Sequence, residues 1–476
     1  MKLRFLLRVL FLSLFWTISS VLASDAIPLG QRLELFVDDF MIQHMSGTAT
    51  QILHKPEPRE VVFEANRSWE GNTCFPNSMF WDNDRFVLYY RCSHTSPPTP
   101  DHPSGQDFLR GLARAESKDG IVWERPGMGR VDFNGLRRNN MLLLPPGISA
   151  WYGGALPVMK NDNPNATSDY RYFGTVQIGD ELHFLASSNG LDWKQPANSL
   201  IISTNNAFDS INTLFWDTHS HLYRCYYRLN RWPPGRKVML TASTDLKHWT
   251  PSVELQYTGA KDEELYTNSI QNYPRAPHIL VGFPTIIFGQ KGQVAPEFMS
   301  SRDGVTFRRW EERIIPITAP KDRDGNRSNF MTWGFLALPS DPKNYSFYAT
   351  EAYYAGPASR LRRFTYRIDG FVSVSVHAEP GELLTKPLTF AGDTLVINAA
   401  TRSNGTVRVE VLDAQGQTIR GLSVANCRAF TGDEIEHRVE WHDASQLKQS
   451  AGKPIQLRFF LQEAELYSFR FCSTNP

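Results

Sequence analysis

Three carboxylates recur beside aromatic or small polar residues: Glu70 in Trp69-Glu70-Gly71-Asn72, Asp209 in Phe208-Asp209-Ser210, and Glu264 in Glu264-Leu265-Tyr266-Thr267-Asn268. Two indoles, Trp151 and Trp333, stand in similar contexts. Carboxyl groups gathered in one cavity can divide the cleavage of a glycosidic bond. One acid protonates the leaving oxygen, and one carboxylate activates water or attacks the anomeric carbon. A third carboxylate raises the acid's pKa by like-charge proximity, and flat aromatic faces stack on sugar rings. The competing reading of each acid is local, since an Asp at the start of a strand often caps backbone N–H groups. Recurrence at equivalent points of successive units favours the shared role.

Those units are marked by a repeated phrase. Ser117-Lys118-Asp119-Gly120-Ile121-Val122-Trp123 returns as Ser187-Ser188-Asn189-Gly190-Leu191-Asp192-Trp193, as Ser243-Thr244-Asp245-Leu246-Lys247-His248-Trp249 and as Ser301-Arg302-Asp303-Gly304-Val305-Thr306-Phe307. A degenerate fifth copy is Arg367-Ile368-Asp369-Gly370-Phe371. Copies roughly 55 to 70 residues apart imply repeated units of several strands each. Each unit shows a strand, a turn and a Tyr-rich strand before its tip, as in Met79-Phe80-Trp81, Asp82-Asn83-Asp84 and Phe86-Val87-Leu88-Tyr89-Tyr90-Arg91. Short strands, regular turn residues and no helix-period stripe predict an all-β chain, and serial four-strand units predict a five-bladed β-propeller. In such a ring the starts of the innermost strands converge, which would bring Glu70, Trp151, Asp209, Glu264 and Trp333 to one pocket. The tip acids Asp119, Asp245 and Asp303 read as turn formers, as do Asp82, Asp84 and Asp217. Asp38 and Asp39 read as strand-ending residues.

Arg91, Arg228, Arg275, Arg362 and Arg363 follow the return strands, and Glu351 is a fourth possible pocket acid. Guanidinium groups aimed inward would select a carboxylate- or sulfate-bearing sugar, which they bind in bidentate fashion. The substrate-binding set expected from position is Trp69, Asn72, Trp151, Tyr266, Asn268, Arg275, Trp333, Glu351 and Arg362.

Past about residue 380 the repeat stops. Leu388 to Val396, Val407 to Leu412, Glu436 to Trp441 and Ile455 to Leu461 alternate apolar and polar residues between Gly, Asn and Asp turns. That pattern predicts a C-terminal antiparallel β-sandwich. The expected organisation is a signal peptide over 1–23, an extended lead-in over 24–65, the propeller over 66–378 and an accessory sandwich over 379–476.

With 50 basic and 49 acidic residues among 476, the chain lacks the one-signed charge that nucleic acid or an anionic membrane rewards. Lys2, Arg4 and Arg8, the apolar run Leu10 to Leu22 and the small-residue site Val21-Leu22-Ala23 form a secretory signal, placing the mature protein outside the cytoplasm or in a periplasm. No other stretch approaches membrane length. Cys74 with Cys92 and Cys427 with Cys472 could bridge or remain buried thiols, and no Cys-x-x-Cys spacing is present. The 12 histidines show no metal-ligand pattern. No cofactor is therefore required, although a structural cation on the axis is compatible with the fold.

The repeated Ser-x-Asp-Gly-x-x-Trp tips, the count of five and the acids at successive unit starts make residues 65–375 similar to the five-bladed propeller glycoside hydrolases, the superfamily of families 32, 43, 62 and 130. The tip phrase also resembles the Asp-box of the six-bladed sialidases. More narrowly, Glu34-Leu35-Phe36-Val37-Asp38-Asp39, Trp69-Glu70-Gly71-Asn72, Leu265-Tyr266-Thr267-Asn268, Arg275-Ala276-Pro277-His278 and Leu466-Tyr467-Ser468-Phe469 resemble a secreted bacterial family of glycosyl-hydrolase-like proteins. The superfamily resemblance implies a base or nucleophile at Glu70, a pKa-modulating Asp209 and a general acid Glu264. The chain departs from the family in having Glu rather than Asp on its first blade. It also lacks Trp-Met-Asn-Asp-Pro, Arg-Asp-Pro and Glu-Cys signatures. The resulting expectation is an exported glycosidase. The alternatives are a non-catalytic carbohydrate-binding propeller and a sialidase-like or uronate-directed enzyme that gathers Arg91, Arg228, Arg275 and Arg362.

Overall fold

A computed structural model describes residues 26–474 except 98, 103–106, 149–155, 205–207, 209, 232–234, 262 and 289–292. The signal segment, Trp151 and Asp209 therefore lie outside the described residues. The chain divides into two units, residues 55–367 and residues 1–54 with 368–476.

The first unit is the propeller. Among the described residues it holds five sheets of four or five strands and a smaller three-stranded sheet. Blade one is Phe75–Asp82, Arg85–Thr95, Asp107–Ser117 and Met141–Leu142, and blade two is Val158–Lys160, Tyr172–Ile178, Glu181–Ser187 and Leu200–Ser203. Blade three is Thr213–Asp217, Leu222–Arg231, Gly235–Ser243 and Val253–Glu254. Blade four runs Gln271–Tyr273, Ala276–Gly282, Phe298–Ser301 and Thr306–Trp310, with Gln256–Thr258 added in parallel at its edge. Blade five sets Phe330–Met331 and Leu336–Ala337 against Asn344–Glu351, then Arg360–Arg367, then Glu57–Glu64. The last strand comes from the N-terminal side of the ring, so the unit is closed by pairing of its two ends.

The second strands read as continuous apolar runs because both of their faces are covered. Phe86, Val87, Leu88, Tyr89 and Tyr90 are all buried. One face serves each neighbouring blade. Leu88 and Tyr90 pack with Leu336, Tyr348 and Leu361 of blade five, whereas Val87 and Tyr89 pack with Val158 and Tyr172 of blade two. Further cores join blades two and three around Phe173 and Tyr227, and blades three and four around Phe215 and Met299. Phe283 meets Phe347 at 5.0 Å between blades four and five. Trp333 links several blades of this ring. Its carbonyl accepts from Met79 N at 3.0 Å, its indole donates to Ile270 O at 2.8 Å, and its ring packs on two inter-blade cores.

The repeated phrase forms outer turns between third and fourth strands. The Asp119 Oδ1 accepts the N–H groups of Ile121 and Val122 at 2.8 Å, while the Ser117 hydroxyl oxygen accepts that of Gly120 at 2.8 Å. Asn189, Asp245 and Asp303 make the same bonds in the next three copies. The residue after the acid takes a left-handed backbone, at φ +75° for Gly120 and +62° for Leu246. That conformation explains the glycine in the other copies. The aromatic that closes the phrase is buried, as at Trp123, Trp193 and Phe307.

The second unit is the β-sandwich, with one short helix, Ser445–Ser450. Its long strands Thr394–Asp413 and Ile455–Cys472 pair with each other across a break in register between Thr401 and Thr406. Leu395, Val409, Phe459 and Phe469 contribute to its core. The segment expected as a lead-in is divided between the units. Glu34–Leu35, Ile42–Gly47 and Thr50–Leu53 pair with Ile455–Cys472, Gly381–Thr385 and Val372–Val376, and only Glu57–Glu64 joins the propeller. Asp38 caps the N–H of Phe40 in a turn, at 3.0 Å. The fifth phrase copy also falls in this unit, where the Asp369 carboxylate accepts from Ser468 and Asn398. No helix among the described residues is long and apolar enough to cross a membrane.

Candidate functional site

Antiparallel pairing puts the start of each inner strand beside the end of the second strand. Phe75 lies opposite Arg91, and Thr213 lies opposite Tyr226. The upper edge of the ring is therefore built by both sets of residues. There Phe75, Phe330, Ile211 and Val294 form an apolar floor, with Tyr266 and Tyr353 packed on it and partly exposed. Ring centroids stand 5.2 Å apart for Phe75 and Phe330, 5.3 Å for Phe330 and Tyr353, and 5.8 Å for Tyr266 and Phe330. The result is a continuous aromatic row across blades one and five and the three-stranded sheet that holds Leu265–Thr267.

Arginines flank both ends of the row. Arg91 donates to the Tyr353 phenol oxygen at 2.8 Å and to Thr73 O at 3.0 Å. Burial pushes the Tyr353 hydroxyl well above the usual phenol range, so it remains neutral beside Arg91. Arg228 lies 4.7 Å over the Tyr266 ring and donates to its carbonyl at 3.0 Å. Arg236 lies 5.3 Å over the same ring and pairs with Glu264 at 2.6 Å. Ser210, which leads into blade three, also donates to the Tyr266 carbonyl at 2.6 Å, so that carbonyl is held twice from the blade-three side.

Glu264 is the partly exposed acid of this edge, with 28 % of its side chain accessible. It stands close to Gly235 of the neighbouring hairpin. A Cβ on Gly235, whose φ is +115°, would stand 2.7 Å from the Glu264 Oε1. The backbone favours glycine, and a methyl there would push the flexible Glu264 carboxylate aside.

Glu70 lies elsewhere in chemical terms. Its side chain is inaccessible, and its carboxylate is held by Arg125 at 2.7 Å, the Tyr90 hydroxyl at 2.6 Å and Arg67 N at 3.0 Å. Burial and occupied oxygens make it the anchor of the segment entering blade one, contrary to the expected base. Glu351 is likewise inaccessible and bound by Arg360, Arg362 and Thr318, which removes both Glu351 and Arg362 from the expected pocket set. Trp69 donates to Asn140 at 2.8 Å, and Asn72 clamps the backbone of Thr95 at 2.9 and 3.0 Å. Asn268 is buried and holds Ile270 N in a turn at 3.1 Å. Arg275 sits in the turn that leaves the inner strand of blade four, at its opposite end. Trp333 is only partly buried and lines a separate cavity of about 390 Å³ with Met79, Phe80 and Gln271.

Of the expected set, Tyr266 and Glu264 come together, joined by Arg91 and Arg228 from the arginine reading. Phe75, Phe330, Tyr353 and Arg236 were not anticipated. The signal available was the second-strand end: Arg91, Arg228 and the Tyr353 that follows Glu351 occupy corresponding positions there. Among the described residues no group of three or more His, Cys, Asp or Glu side chains could hold a metal ion.

No protein-family model and no curated protein matches this sequence. Among solved structures, the chain is similar to an N-acetylgalactosamine deacetylase from F. plautii in complex with blood group B trisaccharide (11% identity, 68% of this chain and 97% of that one, TM-score 0.44). It is also similar to a β-1,2-mannobiose phosphorylase from Listeria innocua in complex with β-1,2-mannobiose (10% identity, 66% and 96%, TM-score 0.46). A third is a Bombyx mori β-fructofuranosidase of glycoside hydrolase family 32 (12% identity, 88% and 94%, TM-score 0.39).

Proposed function

We propose that the propeller binds a glycan across the aromatic row at its upper edge and hydrolyses it, with Glu264 as an acting carboxyl group and Asp209, expected from the sequence, as its partner. The observation that carries this reading is the row itself. Tyr266 and Tyr353, packed on the buried Phe330, are the partly exposed rings beside a partly exposed carboxylate, and guanidinium groups stand at both ends. Paired to Arg236, Glu264 is placed to act as the charged partner, a base or nucleophile, where the family resemblance suggested a general acid. The start of the chain, Met1 to Ala23, supports export to a compartment where polysaccharides are met.

The test is incubation of the purified protein with neutral and acidic polysaccharides, with reducing ends and the product anomer followed by NMR. Release of sugar that Asp209→Asn and Glu264→Gln each abolish supports the reading; unaltered release in both overturns it. A non-catalytic binding propeller is the second reading, favoured by the locked carboxylates of Glu70 and Glu351. It requires calorimetric binding without any reducing sugar released.

A further inference from the structure

The cavity beside Trp333 lies at the far end of blade one from the aromatic row. The inner strand Phe75–Asp82 starts at the row with Phe75 and reaches this cavity with Met79, Phe80 and Trp81. Gln271 of blade four and residues 333–337, on the way into blade five, complete walls around about 390 Å³. That volume lies within the ~300–1,000 Å³ of small-molecule sites. The rings are fixed by their own neighbours. Phe335 stacks on Phe347 with centroids 4.7 Å apart, and Trp81 packs edge-to-face with Phe86, also at 4.7 Å. The Trp333 indole N–H is spent on Ile270 O. Trp81 stays 47% exposed at the cavity mouth. A large exposed indole beside preformed apolar walls marks a binding surface.

Gln271 supplies the polar feature. Its side chain is only 9% exposed, and among the described residues no group bonds to its amide. A buried amide without a partner is costly, and a ligand group that meets it recovers that cost. Among the described residues no charged side chain lines the space, so a charged ligand would lose its hydration for nothing in return. A sugar fits poorly as well. Its several hydroxyls would face one amide and a set of rings, which leaves most of them unpaired. An aromatic ring with a single hydroxyl matches both features: its faces pack on the indole and phenyl rings, and its hydroxyl bonds to the Gln271 amide.

We propose that this cavity binds an uncharged aromatic molecule carrying one hydroxyl group, a phenolic ligand. The site is separate from the aromatic row and does not depend on the glycan reading.

Calorimetry on the full-length protein with 2-naphthol, 2-naphthalenesulfonate and methyl β-glucoside tests it. 2-Naphthol binds saturably and about tenfold more tightly than the sulfonate, which has the same rings but a charge without a partner. Methyl β-glucoside does not bind. Gln271→Met keeps the length of the side chain, removes the amide and weakens 2-naphthol about threefold to tenfold, the worth of one hydrogen bond. Trp81→Ala, at a half-exposed ring, leaves the fold intact and weakens 2-naphthol by a similar factor of about threefold to tenfold. Urea unfolding of both variants separates loss of the site from loss of the fold. Absence of saturable 2-naphthol binding, equal affinity for the sulfonate, or undiminished binding in either variant overturns the proposal. So does tighter binding of methyl β-glucoside, which would give the cavity to a sugar. A dimer that Trp81→Ala converts to monomer in sedimentation would give it to a second copy of the chain and overturn the proposal likewise.

Discussion

The Tyr348 hydroxyl of blade five donates to the Gly120 carbonyl at the tip of blade one, at 2.7 Å. Tyr89 of blade one meets Gly190 of blade two in the same way at 3.0 Å, and Tyr226 of blade three meets Gly304 of blade four at 2.9 Å. The recurring tip is therefore a latch between blades as well as a turn, and Tyr348 works at the point where the ring closes. Tyr348→Phe leaves a buried carbonyl without its donor and costs about 1–2 kcal/mol. Urea unfolding of the variant measures this, and an unchanged midpoint would show that the latch is idle.

Glu70 separates a structural role from a catalytic one. Glu70→Gln leaves Arg125, with 15 % of its side chain accessible, without its charged partner. Loss of one member of a buried pair costs about 3–5 kcal/mol. The expected result is a large fall in unfolding free energy, while turnover per folded molecule is retained. A fully stable but inactive variant would return Glu70 to the reacting set.

The tip acids set part of the acid limb of stability. Burial tends to raise the Asp119 pKa, but the N–H groups of Val122 and Ile121 and the Ser117 hydroxyl outweigh it and hold the carboxyl below its usual range. Asp303 shifts the same way for the same reasons. A carboxyl depressed in the folded state stabilises it above the unfolded value of about 3.9, and that contribution is lost as pH falls through the folded value. Asp119→Asn keeps the acceptor, as Asn189 does in the second copy. It should therefore preserve folding at pH 7 and make stability fall less steeply below pH ~4. Chemical denaturation across that range reads the slope; an unchanged slope would exclude Asp119 from the acid limb.

How much of this was legible in the chain depended on distance. The tip turns were, because their bonds span two or three residues and each has a local signature. So was the serial β-sheet pattern, which follows from alternation within single strands. The fate of Glu70 was not, since Arg125 stands 55 residues away and no spacing announces their pairing. Residues 34–53 gave no sign that their partners lie beyond residue 370, because a strand's pattern reports its buried face and not its neighbour. Trp333 was grouped with the pocket residues because an indole that links blades and one that stacks on a sugar have the same sequence context. The site's second half was missed because attention to inner-strand starts omits the antiparallel ends beside them.

Gly235 stands close to Glu264 without touching a substrate. Gly235→Ala sets a methyl against the Glu264 carboxyl and strains a backbone at φ +115°. Displacing an acting group by about 1 Å costs up to roughly 100-fold in rate. The variant should lose kcat more than KM rises, with Glu264 moved in its crystal structure. Full kcat in a folded Gly235→Ala protein would detach Glu264's placement from catalysis.

The most direct measurement is release of reducing sugar by the Glu264→Gln protein, using any polysaccharide that the unaltered protein cleaves. Removal of an acting base lowers turnover by about 10²–10⁴-fold, and calorimetry should show the glycan still bound over Tyr266 and Tyr353. Cleavage by Glu264→Gln at the rate of the unaltered protein would contradict the account.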